Sequence, residues 1–445
     1  MAAGGRGAVS SAVSSATVRA MLYCGLLNTR IALRLLILAA LCLLAYAPSL
    51  TLPLMEDDYG NLAQAQAYGP PGALPVLMRD PVFRLRATSY WVMWPLWEGF
   101  HLTPWVYHLA SLALHIANVW LLYGLALAWP RMRTAAFWAA AFFAVQEGHQ
   151  EAVMWFSAIN ELLLFLFGSA SLLCWMLAAR TARRALWETA SVLLFGAALL
   201  SKESAIVFLP LFLLAVPMAE WKERKGALVR LWPHVGLGAL ALASILASRG
   251  QSFRFSDGSF ALDAPFWITW PRGVARLLWF WGWLSAAAVY FYGKPEVRKS
   301  AWLAAAWMAI ALAPYSFLTY STQIPSRQTY LASAGLALLA GLALALLPGR
   351  RLLAAAAVAM LLSNAGYLWV RKRAQFAARA EPTEQLIRLA RATEGPIWVR
   401  CFPRNRYIAE EAVHMGAGRP PSILIWSEAE AEKRKPAAVF CYEER

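Results

Sequence analysis

The chain has 445 residues, 60% of them hydrophobic and only 15% charged, and its mean hydropathy is positive. That balance excludes an ordinary soluble globular protein and reads as a polytopic membrane protein. The formal charge of +16 does not make it a nucleic-acid binder, because Lys and Arg are spread through short connections between apolar runs.

The first twenty residues, rich in Ala, Gly and Ser, read as disordered, and residues 1–30 as a cytoplasmic N-terminus. The apolar run that follows is too long, and lacks a clear cleavage site, for a removed signal peptide. Runs of roughly 17 to 25 apolar residues predict transmembrane helices. They fall at Ile31 to Leu52 and Pro104 to Trp129, with a short one at Arg133 to Val145 and another at Ile159 to Ala179. Leu186 to Leu200, Ser204 to Ala219, Leu231 to Ser248 and Arg272 to Tyr292 follow. Ala301 to Leu318, Thr329 to Leu347 and Leu352 to Val370 complete about eleven spans, an all-α transmembrane domain over residues 31–370.

Orientation follows from the Lys and Arg of alternate connections. Arg131 and Arg133, then Arg180, Arg183 and Arg184, then Lys222, Arg224, Lys225 and Arg230 mark one side. Lys294, Arg298 and Lys299, then Arg350 and Arg351, continue the pattern, which places the N-terminus inside. All five Asp (Asp57, Asp58, Asp80, Asp257 and Asp263) then fall in two long outer loops. The first of these, residues 53–103, predicts one or two helices along the membrane surface, with Tyr90, Trp91, Trp94 and Trp97 at interface depth.

An odd number of spans places residues 371–445 outside as a small α+β segment. Ile397 to Val399 and Ala438 to Phe440 read as strands, and Thr383 to Arg391 as a helix. Cys401 and Cys441 can pair there if the tail is extracytoplasmic, whereas Cys24, Cys42 and Cys174 lie in or beside apolar runs without metal-ligand spacing. Arg371, Lys372 and Arg373 stand on the unexpected side of this scheme.

The acidic turn Glu56, Asp57 and Asp58 lies where the first helix surfaces, poorly suited to lipid anchoring and well suited to presenting carboxylates to a substrate. Of the three, Glu56 reads as a solvated neighbour. A second group, Glu147, His149 and Glu151, followed by Trp155 and Glu161, occurs at the next outward turn. Two carboxylate sites on one face suit transfer to a hydroxyl, one removing the proton and another orienting the partners or holding a cation. His101, His108 and His115 recur every seven residues. Rings about 10 Å apart along a helix cannot share one ion, so the stripe reads as interhelical hydrogen bonding. Lys202 and Glu203, and Arg327 with Tyr330, open later helices at outer turns, where a cation is suited to neutralise a lipid phosphate or diphosphate. Arg79, Arg84 and Arg86 are further cationic candidates in the first loop.

These pieces occur in the order seen in GT-C membrane glycosyltransferases that use polyprenyl-phosphate sugars. The chain resembles most the membrane part of the tetratricopeptide-repeat O-mannosyltransferases and related bacterial proteins. The resemblance rests on Asp57 and Asp58; on Pro104, Tyr107 and His108 continuing to His115 and Asn118; and on His149, Glu151, Ala152, Val153 and Trp155. Lys202 with Glu203, and Arg327, Tyr330 and Leu331, match two later landmarks, so that it covers roughly Leu35 to Leu347. Gln150 departs from the family, where Pro is common, and no tetratricopeptide repeats follow the membrane part.

The resemblance implies an inverting transfer of a monosaccharide from a polyprenyl-phosphate donor to a protein or glycolipid acceptor. The setting it implies is a multi-pass protein of the bacterial inner membrane whose site faces the periplasm or exterior. Asp58, or its neighbour Asp57, would be the general base, and Lys202 and Arg327 would stabilise the departing phosphate. Glu151 would belong to the catalytic carboxylates, with His149, His108 and Tyr330 binding substrate. A divalent cation is compatible with this chemistry and not required by it. Two rivals are a lipid-linked glycan polymerase or ligase, which needs no Asp57 and Asp58, and a transporter or membrane scaffold. A transporter places ionisable groups near the bilayer midplane, not at helix ends.

Overall fold

The computed structural model describes residues 29–216, 221–251, 260–261, 263–319 and 324–443. The N-terminal segment read as disordered, Cys24, Asp257 and the side chain of Lys222 lie outside the described residues. Among the described residues eight helices are long and apolar enough to cross a membrane, where the sequence led us to expect about eleven. Each of the eleven expected segments contains a helix among the described residues, but three of these are short: Ala136–Val145, Arg184–Leu199 and Glu203–Leu214. A helix of ten residues rises only about 15 Å, half the hydrocarbon thickness of a bilayer.

The first spanning helix, α1 (Thr29–Thr51), leads into a loop with three helices, not one or two: α2 (Asp57–Tyr68), α3 (Leu74–Arg79) and α4 (Ala87–Phe100). On α4 the aromatic residues do not share one interfacial role. Tyr90 turns inward against Tyr68 and donates to Gln64, while Trp91 is exposed and Trp94 packs against Gly69.

The bundle then runs through α5 (Pro104–Ala128), α6 (Ala136–Val145), α7 (Gln150–Met154), α8 (Ile159–Ala178) and α9 (Arg184–Leu199). It continues with α10 (Phe208–Leu214), α11 (Trp221–Val229), α12 (Trp232–Ala247), α13 (Phe266–Tyr292), α14 (Pro295–Leu312) and α15 (Tyr330–Ala345). Helix α15 is apolar on every side, and every residue from Tyr330 to Leu344 is buried, as expected for a helix surrounded by others. Its glycines allow close approach. A Cβ on Gly341 would lie 2.7 Å from the Ala139 nitrogen of α6, and one on Gly335 would lie 2.5 Å from the Ala304 oxygen of α14.

The last membrane helix, α16 (Arg350–Tyr367), passes through a π-turn at Leu368–Lys372 into α17 (Arg373–Ala392) without a break. This run of 43 residues is about 65 Å long, so it extends well beyond a bilayer core. Arg371, Lys372 and Arg373 are therefore part of a continuing helix.

Beyond it, β1 (Ile397–Cys401), α18 (Arg406–Glu411), β2 (Leu424–Ile425), α19 (Glu428–Arg434) and β3 (Ala438–Cys441) form a small parallel sheet in the order β2, β1, β3. Helix α18 supplies the crossover from β1 to its parallel neighbour β2, and α19 carries the chain past β1 to β3 on its other side. Cys401 and Cys441 are joined as a disulfide across β1 and β3, and Cys42 and Cys174 are free and buried.

The disulfide closes a separation of 40 residues, and removing such a crosslink costs about 2–4 kcal/mol by chain entropy. Non-reducing electrophoresis should show a mobility change on reduction in the wild-type protein and none in Cys401→Ser. The variant's tail should also become sensitive to limited proteolysis at a lower temperature.

Candidate functional site

Helix α2 begins at the acidic turn because Asp58 closes back on the residue before it. Its amide donates to the Met55 carbonyl (3.0 Å), and its Oδ2 accepts from the Met55 amide (2.9 Å). Its Oδ1 accepts from the amide and hydroxyl of Ser157 (2.8 and 2.5 Å), which pins the first loop to the residues just ahead of α8. Asp58 is fully buried. That burial pushes its carboxyl up to about 7 against the opposing influence of the Ser157 and Met55 donors.

Asp57 faces the other way. It is exposed and lines a cavity of about 760 Å³ with Arg86, Asn160 and Tyr90 on one side and Asn405, Tyr407 and Glu411 of the tail on the other. The surrounding protein displaces water from its carboxyl, and the Glu56 charge adds to that, so its affinity for a proton rises above the ordinary range. Arg327 and Arg379 oppose the shift without reversing it.

Glu56 is not the solvated neighbour that the sequence suggested. It is buried and adopts φ 48°, a left-handed conformation that costs a non-glycine residue on the order of 1–3 kcal/mol. Arg379 donates to it from Nη2 (2.5 Å) and Arg404 from Nε (2.6 Å). Burial alone would raise its carboxyl, but these two arginines prevail and hold it below the ordinary range.

Arg379 also reaches Glu151, Nη1 to Oε1 3.7 Å, and its guanidinium lies 4.6 Å from the centre of the Trp155 ring. Arg327 approaches the same groups from the turn ahead of α15. Its amide donates to Glu151 Oε2 (3.1 Å), its Nη1 stands 3.7 Å from that oxygen, and its guanidinium lies 5.0 Å from the Trp155 ring centre. Burial would raise the Glu151 carboxyl, and the charge and amide of Arg327 lead the groups that hold it low instead. Glu56, Glu151, Arg327, Arg379 and Arg404 thus form one charged network beside Asp57. About a quarter to a third of the Arg327, Arg379 and Arg404 side-chain surfaces stays exposed, open to an anion.

Several expected site residues lie elsewhere. Lys202 is buried in an ion pair with Glu161 and lies 4.8 Å from the Tyr315 ring centre, so in this structure its charge is committed within the core and not to the cavity beside Asp57. Arg86 pairs with Glu203 beside it (2.5 Å). His149 and Tyr330 are fully buried and bonded within the bundle, away from that cavity: His149 Nε2 bonds Ser333 Oγ (2.6 Å), and Tyr330 OH bonds His115 Nδ1 (2.8 Å) and Asn118 (3.2 Å). His108 is fully buried as well. The histidine stripe therefore includes the interhelical bonding expected of it, at His115. Arg84 is turned to α12, where it donates to the Ser244 carbonyl (2.7 Å).

Among the described residues no group of three His, Cys, Asp or Glu is placed to hold a metal ion. Arg379, Arg404, Ser157, Tyr407 and Glu411 were not anticipated. Only Ser157 had a sequence signal, two residues after the Trp155 landmark.

No family model and no curated protein matches the chain. Solved structures do. ArnT from Cupriavidus metallidurans in the apo state superposes with a TM-score of 0.55 at 13% identity, over 94% of this chain and 89% of that one. The same protein bound to undecaprenyl phosphate gives 0.52 at 14% identity, over 91% and 88%. The archaeal oligosaccharyltransferase AglB from Archaeoglobus fulgidus, in complex with an inhibitory peptide and a dolichol-phosphate, gives 0.53 at 13% identity, over 91% of this chain. The chain spans only 65% of the AglB length. Likeness at this identity is likeness of fold, and the fold is GT-C.

Two outcomes follow from the turn's geometry. Because the folded Asp58 carboxyl titrates near 7 and the ordinary value is 3.8, the folded state binds the proton more tightly. This contribution to stability is complete below about pH 4 and is lost as pH rises through 7. Thermal unfolding in detergent should show that decline in the wild type and a flatter profile in Asp58→Asn. The variant should also be less stable by about 1–3 kcal/mol, since an amide cannot accept from both Met55 and Ser157. Glu56→Gln should loosen the tail, which limited proteolysis between α17 and α18 will detect.

Proposed function

We propose that the protein is a membrane glycosyltransferase that moves a monosaccharide from a polyprenyl-phosphate donor to an acceptor hydroxyl on the extracytoplasmic face. The observation that carries this reading is the placement of Asp57, a carboxylate raised toward proton acceptance, on a cavity wall beside three partly exposed arginines. The GT-C fold, shared with an ArnT structure that binds undecaprenyl phosphate, supports it.

In this mechanism the acceptor hydroxyl gives its proton to Asp57 while its oxygen attacks the anomeric carbon from the side opposite the phosphate. The bond from the anomeric carbon to the phosphate oxygen breaks, and the product is inverted. A phosphate leaves readily, so no acid must protonate it, in contrast to an ordinary glycoside oxygen. What the leaving group needs is charge stabilisation, which Arg327 and Arg379 supply. Asp58 takes a positioning role in place of the catalytic one expected of it, because its oxygens are already occupied by Met55 and Ser157. Glu151 keeps Arg327 and Arg379 together over Trp155. A polymerase or ligase acting on a lipid diphosphate would not require Asp57, so the Asp57 variant below also bears on that alternative.

The test is transfer of radiolabelled hexose from an undecaprenyl-phosphate-linked donor to membrane glycolipid or protein acceptors. Asp57→Asn should reduce turnover roughly 100- to 10,000-fold with membrane insertion and thermal stability unchanged. Full activity in that variant removes the base assignment. Arg327→Ala should raise the donor KM far more than the acceptor KM, and equal effects on both would remove Arg327 from the phosphate site.

A further inference from the structure

We propose that the end of the helix bundle remote from the acidic turn carries a second binding site, for the phosphate headgroup of an anionic phospholipid. Arg30 and Arg34 stand one turn apart near the start of α1, and Arg133 lies between α5 and α6. Together they line a cavity of about 510 Å³ whose other walls include Ile37, Phe137 and Trp138. Helix α1 is 23 residues long, about 34 Å, so this cavity and the one beside Asp57 are separated by the length of a membrane-spanning helix.

A positive charge at a helix end often serves topology alone, but that requirement is met by any exposed Lys or Arg. It does not require three guanidinium groups, brought from segments about a hundred residues apart, to converge on one concavity. Among the described residues no carboxylate lines it. Two of the arginines are oriented by neutral acceptors: Arg34 donates to the Tyr123 hydroxyl (3.0 Å) and Arg133 to the Leu127 carbonyl (3.3 Å). Each guanidinium has five N–H donors in a planar fork, so these contacts fix direction and leave most donors for a ligand. The matching ligand group is a phosphate, which a guanidinium binds through two parallel hydrogen bonds.

The apolar walls decide between a free phosphate and a lipid headgroup. Arg34 lies 5.9 Å from the Phe137 ring centre, and Phe137 contacts Trp138 edge to face at 5.2 Å. The Trp138 ring, with its polar N–H, favours headgroup depth in a bilayer. Leu33, Leu36 and Ile37 extend outward along α1 with 57%, 67% and 40% of their surface exposed, a track for an acyl chain below the headgroup. Inorganic phosphate would use the arginines and leave this surface uncovered. Basic pockets between membrane helices are known to hold anionic lipid headgroups by this combination.

Native mass spectrometry of the full-length protein in detergent, titrated separately with phosphatidylglycerol, phosphatidylcholine and inorganic phosphate, tests the site. Phosphatidylglycerol should bind at least tenfold tighter than phosphatidylcholine, and inorganic phosphate should not compete at equal concentration. The double variant Arg34→Gln with Arg133→Gln should lose that preference. A matched double variant at another turn, Arg350→Gln with Arg351→Gln, should keep it and controls for net charge. Equal binding of the two lipids, equal binding of inorganic phosphate, or equal loss in both double variants would overturn the proposal. If the first pair does not fold, Arg30→Gln alone should lower the preference severalfold, and an unchanged preference would overturn it.

Discussion

A carboxylate that leaves water needs cations around it, and the burial of Glu56 sets this condition for the whole end of the molecule that carries the acidic turn. Unpaired, it would cost several kcal/mol or take up a proton. The two arginines that meet it come from α17 and from the loop after β1, 323 and 348 residues away in the chain. Arg379 then extends the contact to Glu151 and Trp155, where Arg327 joins from the turn before α15. First loop, α7, α15 turn and tail are thereby tied into one charged knot. Because its arginines remain partly exposed, solvent screening keeps any single pair modest. Its value lies in fixing where cations stand.

Adjacent aspartates at the start of one helix receive opposite environments from this arrangement. Successive residues near a helix start point about 100° apart, so a turn that buries Asp58 against Ser157 necessarily directs Asp57 outward. The buried partner fixes the angle at which α2 leaves the turn, and the outward one inherits that precision. Glu56 contributes in a third way, since its left-handed backbone makes the sharp reversal from α1 and is held by Arg379 and Arg404.

Local sequence carried the features that depend on neighbours in the chain. The apolar runs marked the helices, the acidic turn marked one wall of the candidate cavity, and the seven-residue histidine spacing indicated buried bonding that His115 makes with Tyr330 and Ala144. Span count was less legible, because an apolar run of ten to sixteen residues suits an interior helix as well as a short span. Lys202 read as a phosphate ligand because its partner, Glu161, is 41 residues away, across the α8–α9 hairpin, whose packing the string does not show. Arg379 and Arg404 were illegible for the same reason on a larger scale. An arginine in a polar tail has no local mark that distinguishes a site residue from a solvated one.

The tail also bears on α2 from the far side of the cavity. A Cβ at Gly60 would stand 2.8 Å from the Tyr407 ring, so α2 and the Tyr407 side chain of α18 pack closely there, and Gln64 donates to the Tyr407 hydroxyl (3.2 Å). Asp57 opens the same helix and lines the same cavity as Asn405, Tyr407 and Glu411. Whatever occupies that cavity therefore touches the tail and the carboxylate together.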